Sequence, residues 1–254
     1  MKRFLFLPAV LFILALQPLQ AQRRDSTYTA AEQFKWEKLI APASLVGVGA
    51  ICALSPWYME KVNVPVRDWV VSKTGGADYN FDDYLQYAPL ASYTVAGLCG
   101  AGKHGAWEHL LTAATTFTLV TAFSQGLKHL TNSPRPNGGN YSFPSGHTLT
   151  AFAGAEIIRL EYGTWWGLAA YSVAGLTAFM RIWNNWHWTS DVIAGAGFGI
   201  FCANAAYWLL PFERKLFHLD SKMVTGKNYQ FQALPYAAAT PCGSAIGLSL
   251  ALQW

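Results

Sequence analysis

Six apolar segments occupy most of the chain between residues 40 and 212, and this pattern constrains the fold more than any other feature. Their Thr, Ser, Gly and Ala residues allow helices to approach closely within a membrane. The pattern predicts an all-α fold, a six-helix transmembrane bundle. Because several segments are short and weakly apolar, a soluble or peripheral helical domain is the alternative. The segments cover residues 40–58, 87–102, 109–127, 148–160, 164–180 and 192–212.

Composition excludes several classes of protein. Hydrophobic residues make up 52% of the 254 residues and charged residues only 13%, about half the roughly 25% of an ordinary soluble domain, which argues against a cytosolic enzyme. The 18 lysines and arginines are scattered, so no nucleic-acid partner is predicted. The four cysteines show no C-x-x-C spacing, so neither a zinc site nor a redox motif is indicated.

The amino terminus has the pattern of an export signal. Lys2 and Arg3 precede an apolar run over residues 4–16, and Ala21 offers a small residue at a cleavage point. The run of 13 residues is too short to cross a bilayer, which needs about 20. We therefore expect a signal peptide over residues 1–21, with an uncleaved anchor as the alternative. A polar segment over 22–39 and the helical bundle over 40–212 follow.

The carboxyl-terminal region, residues 213–254, changes character. A polar linker precedes a strictly alternating stretch in which every second residue from Ile246 to Trp254 is large and apolar. Alternation of this kind predicts a strand, paired with residues 229–236 across a turn at 240–244. One hairpin cannot close a barrel, so the expected product is a short β-hairpin-like tail that caps or packs against the bundle.

Polar residues capable of chemistry cluster at the ends of the apolar segments. His147 and Arg181 are 34 residues apart, enough for one helix across a bundle and one back, so both return to the same face. His187 and Asp191 are four residues apart, which would make them neighbours on a helix. We expect one pocket at one membrane surface. Its members are Lys128, Arg135, Ser145, Gly146, His147, Arg181, His187 and Asp191.

These residue types together fit an oxyanion, most naturally phosphate. Three cations with hydroxyl donors form a clamp, and Gly146 at a helix start lets backbone N–H groups face an anion. A carboxylate beside a histidine fixes its tautomer, and with two histidines one can attack phosphorus while the other protonates the leaving oxygen. No cluster of Asp and Glu suited to a catalytic metal accompanies them. No metal and no cofactor are therefore predicted.

Three motifs in order carry a family resemblance. They are Lys128-x6-Arg135-Pro136, Pro144-Ser145-Gly146-His147 and Arg181-x5-His187-x3-Asp191. They resemble the three-part signature of type 2 phosphatidic acid phosphatases, whose superfamily also includes bacterial class A acid phosphatases and vanadium haloperoxidases. The order and spacing of all three motifs make this resemblance far more specific than any one of them.

The resemblance implies a role for each matching residue. His187 would be the nucleophile that forms a phosphohistidine, Asp191 would orient it, and His147 would protonate the leaving group. The phosphoryl oxygens would be held by Lys128, Arg135, Ser145, Gly146 and Arg181. One position departs from the pattern, because the third motif usually begins Ser-Arg and Met180 stands here before Arg181. The hydroxyl donor that this serine would offer to phosphate is therefore missing here.

The resulting hypothesis is a metal-independent lipid phosphatase of the bacterial cell envelope, with the bilayer and a phosphorylated lipid as partners and no protein partner indicated. Undecaprenyl diphosphate, lipid A phosphate, phosphatidic acid and phosphatidylglycerol phosphate are the candidate substrates. The alternatives are a nonspecific periplasmic acid phosphatase, a non-catalytic anion- or lipid-binding membrane protein and, less favoured, a vanadium haloperoxidase. The distribution of Lys and Arg favours a periplasmic active site, whereas a cleaved signal peptide would argue for the opposite orientation.

Overall fold

The computed structural model describes residues 30–76, 78–217 and 219, together with the backbone of residues 230–240 and 243–253. These residues are mostly helical, in agreement with the predicted all-α class. The predicted signal segment over residues 1–21 lies outside the described residues. The helices are α1 Glu37–Leu54, α2 Pro56–Tyr58, α3 Val64–Thr74, α4 Asp82–Leu85, α5 Ala88–Leu98, α6 Ala106–Thr131, α7 Gly146–Tyr162, α8 Thr164–Trp183 and α9 Thr189–Leu216, with a π-helical turn over Met59–Asn63.

Helix ends differ from the apolar segments where polar residues extend or interrupt a helix. The first segment was expected to continue to residue 58, but α1 stops at Leu54 because Ser55 is extended, with ψ of 113°. The Ser55 hydroxyl then accepts a hydrogen bond from the Tyr58 amide and begins a new turn. Helices α6 and α9 are longer than their apolar segments, since charged residues at their ends still have helical backbone. Hydropathy therefore located the helices better than it located their ends.

Helix α9 lies at the centre of the bundle and packs mainly against α1 and α7. Glycines on α9 allow this close packing. A Cβ atom at Gly195 would lie 2.7 Å from the Ser145 carbonyl oxygen, and one at Gly199 would lie 2.4 Å from the Leu149 carbonyl oxygen. Both distances are shorter than van der Waals contact, so only glycine fits at this backbone separation. The contact holds the start of α7 against the start of α9, where the predicted site residues lie.

Within the described residues, three helices are long and apolar enough to cross a membrane, namely α1, α6 and α9. These three correspond to the first, third and sixth apolar segments. Helices α5, α7 and α8 contain 11, 17 and 20 residues. That their segments also cross the bilayer stays a prediction.

Two antiparallel strands follow the helical region. Strand β1, Gln230–Thr240, pairs with β2, Gly243–Gln253, in a register that aligns Phe231 with Leu252. Strand β1 continues to Thr240, beyond the residue 236 expected from the sequence. The capping role of this hairpin-like tail stays a prediction.

A buried network of charges ties the helices together at the end opposite the predicted site. His104 lies between two carboxylates, with Nδ1 2.5 Å from Glu161 and Nε2 2.9 Å from Glu32. Arg214 near the end of α9 pairs with Glu32 and with Glu108. Although burial opposes its charge, hydrogen bonds to Glu161 and Glu32 raise the pKa of His104 to about 9. This histidine, given no catalytic role by the sequence, therefore joins helix ends as a cation.

Candidate active site

The predicted site residues meet where α6 ends, α7 begins, α8 ends and α9 begins. The loop over residues 132–145 is held to α9, because the Ser145 amide donates to the Asp191 carbonyl oxygen at 3.1 Å. At the end of α8, the amides of Trp186 and His187 both donate to the Arg181 carbonyl oxygen. Backbone hydrogen bonds between neighbouring elements thus fix the site, although its residues come from four helices and two loops.

His187 lies in the loop before α9, so the prediction that it and Asp191 are neighbours along one helix is wrong: α9 begins only at Thr189. The loop nevertheless brings the two side chains together, with His187 Nδ1 3.6 Å from Asp191 Oδ2. The same carboxylate oxygen accepts hydrogen bonds from Ser142 Oγ at 2.5 Å and from the Trp188 amide at 2.9 Å. Since Nδ1 faces this anchored carboxylate, Nε2 is the nitrogen free to act on a substrate.

The environment keeps the His187 imidazole neutral. The side chain is almost fully buried, and burial lowers its pKa to about 4, with Arg135 and Arg181 acting in the same direction and Asp191 opposing them. A neutral imidazole has a lone pair and can attack an electrophile, whereas an imidazolium cannot. His187 therefore has the protonation state that a nucleophile needs at neutral pH.

Trp186 holds the two arginines of the site near each other. The Arg135 guanidinium carbon lies 5.2 Å and that of Arg181 5.4 Å from the centre of the Trp186 ring. Cation–π contacts of this kind offset part of the repulsion between two neighbouring cations. Burial and Arg181 lower the pKa of Arg135, but a guanidinium remains charged at neutral pH. The three sequence motifs do not include Trp186, whose part in the site depends on these tertiary contacts.

Arg181 also has an unused donor inside the site. It is 4% exposed, and within the described part of the chain no acceptor lies within hydrogen-bond distance of its Nε. Buried donors in native proteins nearly always have a partner. An oxyanion bound beside Trp186 would supply the missing acceptor.

Lys128 and Gly146 come together at the start of α7. A Cβ atom at Gly146 would lie 2.8 Å from Ser124 Oγ and 3.8 Å from Lys128 Nζ, so the glycine leaves room for the ammonium group and the Ser124 hydroxyl. Ser145 is fully buried, and its hydroxyl accepts a hydrogen bond from Thr148 at 3.0 Å. The part that Ser145 plays in phosphate binding stays a prediction.

Two carboxylates that the sequence reasoning missed lie in the site. Asp83 Oδ1 is 2.9 Å from His147 Nε2 and 3.4 Å from Arg181 Nη1. Asp82 is fully buried and accepts hydrogen bonds from Arg181 Nη1 at 2.7 Å and from Asn184 at 3.1 Å. Both belong to α4, in the polar stretch between the first two apolar segments. If successive apolar segments alternate in direction, that stretch lies on the same face of the bundle as His147. This alternation could have predicted that Asp82 and Asp83 lie near the site.

The site thus places positively charged hydrogen-bond donors beside a neutral histidine. Over the residues that the structure describes, no group of three or more His, Cys, Asp or Glu is placed to hold a metal ion. The cations of Lys128, Arg135 and Arg181 are the groups available to neutralise an anion.

Comparison with known proteins supports the interpretation of the motifs. Residues 109–215 match the family model described as PAP2 superfamily, and this range contains every predicted site residue. Over these residues the chain is similar to the PAP2 superfamily. The predicted resemblance to type 2 phosphatidic acid phosphatases is thereby confirmed.

The curated proteins that the chain resembles include two lipid A 1-phosphatases. One, from Porphyromonas gingivalis, is 35% identical over 171 residues, which are 65% of this chain and 37% of the relative. The other, from Helicobacter pylori, is 33% identical over 94 residues, 35% of this chain and 49% of the relative. An undecaprenyl-diphosphatase from Sulfolobus acidocaldarius is 37% identical over 62 residues, 24% of this chain and 29% of the relative. The chain thus matches half or less of the length of each.

Proposed function

We propose that this protein belongs to the PAP2 superfamily and hydrolyses a phosphate monoester or diphosphate carried by a membrane lipid, without a metal ion and through a phosphohistidine at His187. The observation that carries the proposal is the position of a buried, neutral imidazole beside two guanidinium groups held by one indole ring. The unpartnered Nε donor of Arg181 supports an anionic substrate at this place.

In the first half of the reaction, His187 Nε2 attacks phosphorus. A nitrogen–phosphorus bond forms, the bond from phosphorus to the leaving oxygen breaks, and His147 gives its proton to that oxygen. Asp191 stabilises the positive charge that develops on the His187 ring. The cations Lys128, Arg135 and Arg181 hold the phosphoryl oxygens, whose charge changes little as the bonds exchange.

In the second half, a water molecule attacks the phosphohistidine. His147, now neutral, takes a proton from the water as its oxygen bonds to phosphorus, and the nitrogen–phosphorus bond breaks. Inorganic phosphate leaves, and His187 and His147 return to their starting states.

A lipid substrate is supported by two further observations. Three helices are long and apolar enough for a membrane, and the site lies at their ends. Relatives carry the names lipid A 1-phosphatase and undecaprenyl-diphosphatase, both of which denote action on a phosphorylated lipid. Lipid A phosphate and undecaprenyl diphosphate are therefore the first candidates, ahead of phosphatidic acid and phosphatidylglycerol phosphate.

The proposal extends to the membrane arrangement. We infer six membrane-crossing segments, with the active site on the periplasmic face and the carboxyl-terminal hairpin as a capping element. Support comes from the distribution of Lys and Arg. If the first segment starts on the inner side, ten of the Lys and Arg residues after residue 21 lie on the inner side and six on the outer side. Three of those six are the cations of the site.

Phosphate release from a panel of lipids tests the proposed function. Purified protein in detergent is given undecaprenyl diphosphate, lipid A, phosphatidic acid and phosphatidylglycerol phosphate, each with excess chelator, and a soluble phosphate ester is assayed beside them. We expect release from at least one lipid in the presence of chelator, and inhibition by vanadate. Turnover of the soluble ester alone would favour a nonspecific acid phosphatase, and binding without turnover would favour a non-catalytic protein.

The pH dependence should reflect the buried His187. Its pKa of about 4 means that the imidazole is neutral at every pH above that value. We expect the acid limb of kcat/KM, which reports the free enzyme, to fall as pH decreases through about 4 and not through about 6.5, the ordinary value for histidine. Tryptophan fluorescence recorded in parallel shows whether the protein remains folded. A limb near pH 6.5 in folded protein would contradict a desolvated nucleophile.

A further inference from the structure

Asp83 occupies a position in the site that the PAP2 motifs do not account for. Its Oδ1 lies 2.9 Å from His147 Nε2 and 3.4 Å from Arg181 Nη1. The Asp83 side chain is 51% exposed and that of His147 is 25% exposed, so the pair lies at the mouth of the site. A carboxylate at hydrogen-bond distance from an imidazole accepts a hydrogen bond from a ring N–H and favours the doubly protonated ring.

We propose that Asp83 is a positioning residue for His147: by accepting a hydrogen bond from Nε2–H, it directs the second ring proton, on Nδ1, toward the leaving oxygen. This inference rests on the proposed function. It adds a carboxylate to the acid side of the site, where the motifs supply one only to the nucleophile side. His147–Asp83 then parallels His187–Asp191, because each imidazole of the site faces one carboxylate.

The surrounding charges explain why His147 needs this partner. Burial, Arg181 on α8 and His187 in the following loop lower the pKa of His147 to about 4, against the opposing effect of Asp83. Lys128 on α6 approaches the neighbouring Gly146 and adds further positive charge. Among the described residues, Asp83 on α4 is the carboxylate within hydrogen-bond distance of His147. Asp83 therefore opposes the burial and the cations that disfavour charge on the ring, and the negative charge of a bound phosphate would oppose them further.

Asp82 provides an internal comparison. It is adjacent in sequence and equally acidic, but its hydrogen bonds go to Arg181 and Asn184 and not to His147. Asp82 thus acts on a phosphate-binding residue, while Asp83 acts on the acid. Loss of each carboxylate should affect the reaction differently.

The proton balance of the step is simple. The Nδ1 proton of the His147 imidazolium moves to the leaving oxygen as its bond to phosphorus breaks, and the Nε2 proton stays in its hydrogen bond to Asp83. In the second half, Nδ1 takes a proton from the attacking water. Asp83 keeps its negative charge throughout and changes no bond.

The test compares Asp83→Asn with Asp82→Asn on a series of aryl phosphates that differ only in the acidity of the leaving phenol. A strongly acidic phenol needs no proton to leave, whereas a weakly acidic one does. For Asp83→Asn we expect a loss of kcat within about threefold for the 4-nitrophenyl ester and of about 100-fold for the unsubstituted phenyl ester. For Asp82→Asn we expect an equal loss across the series, mainly in KM.

Two matched variants and one spectrum complete the experiment. Asp68→Asn, in an exposed pair with Arg67, should leave the whole series unchanged, and Asp83→Glu should restore much of the phenyl ester activity. The alkaline limb of kcat should move to lower pH in Asp83→Asn. Independently of any Asp83 variant, ¹⁵N spectra of wild-type protein should show His147 protonated at Nε2, with His147→Gln providing the assignment.

The outcomes separate the two proposals. If the wild type releases phosphate but Asp83→Asn loses activity equally across the series, or loses none, the inference about Asp83 is overturned and the proposed function stands. The inference about Asp83 is also overturned if the wild-type spectrum shows that His147 Nε2 carries no proton. If the wild type releases phosphate from neither the aryl esters nor the lipids, the proposed function fails and the inference fails with it.

Discussion

The His187→Ala variant is expected to lose phosphate release almost completely, by at least about 10⁴-fold in kcat. Alanine removes the atom that we propose bonds to phosphorus, and no other described histidine has the same surroundings. His147 is hydrogen-bonded to Asp83 through Nε2, and His104 and His109 lie in the charge network at the opposite end of the bundle. The remaining cations would still bind phosphate, so KM or the inhibition constant for vanadate should change far less than kcat.

His129→Ala is the matched control for this prediction. His129 is an exposed histidine near the end of α6, and the centre of its ring lies 5.2 Å from that of Tyr141. It is not one of the predicted site residues. We expect this variant to keep wild-type kcat on the preferred lipid. Residual activity of His187→Ala above about one percent of wild type, in protein that still binds vanadate, would contradict a nucleophilic role.

Replacing Arg181 by alanine should damage both activity and stability. The substitution removes a proposed hydrogen-bond donor to phosphate. It also leaves the fully buried Asp82 carboxylate without its cation, from which it now accepts a hydrogen bond at 2.7 Å. Breaking a buried ion pair by removing one partner typically costs about 3–5 kcal/mol. We expect a fall in Tm on the order of 10 °C and a loss of kcat/KM on the order of 10²- to 10³-fold.

The double variant Arg181→Ala with Asp82→Asn separates the two effects. An asparagine at position 82 can keep its hydrogen bond with Asn184 and carries no charge to be left unpaired. Thermal melting in detergent should show the double variant closer to wild type than Arg181→Ala, while phosphate release stays low. If the double variant recovered activity as well as stability, Arg181 would act only through folding and not on the substrate.

The sequence could predict the helical class and much of the site because both depend on local signals. Apolar segments locate helices, and antiparallel counting places His147, Arg181 and Lys128 on one face. The helical part of the fold agrees with this. What local signals could not supply was the start of α9 at Thr189, since the loop over residues 184–188 contains Trp and His residues that are compatible with either a helix or a loop.

The site residues that the sequence did not predict were missed for one physical reason, their dependence on tertiary contacts. Asp82 and Asp83 enter the site from a four-residue helix, α4, whose position depends on tertiary contacts with Arg181 and Asn184. Ser142 reaches Asp191 only because the loop before α7 is held against α9. Such contacts join residues roughly 50 to 100 positions apart, and no periodicity within one segment encodes them.

Trapping the reaction intermediate tests the central claim most directly. Wild-type protein is mixed with its lipid substrate, quenched in alkali within the first turnover, digested and analysed by mass spectrometry for phosphorylated peptides. The account predicts an acid-labile, base-stable phosphoryl group on His187, absent from the His187→Ala variant and accumulating in His147→Ala supplied with an aryl phosphate. Phosphate found on another side chain, or turnover that forms no phosphorylated protein at any time, would contradict it.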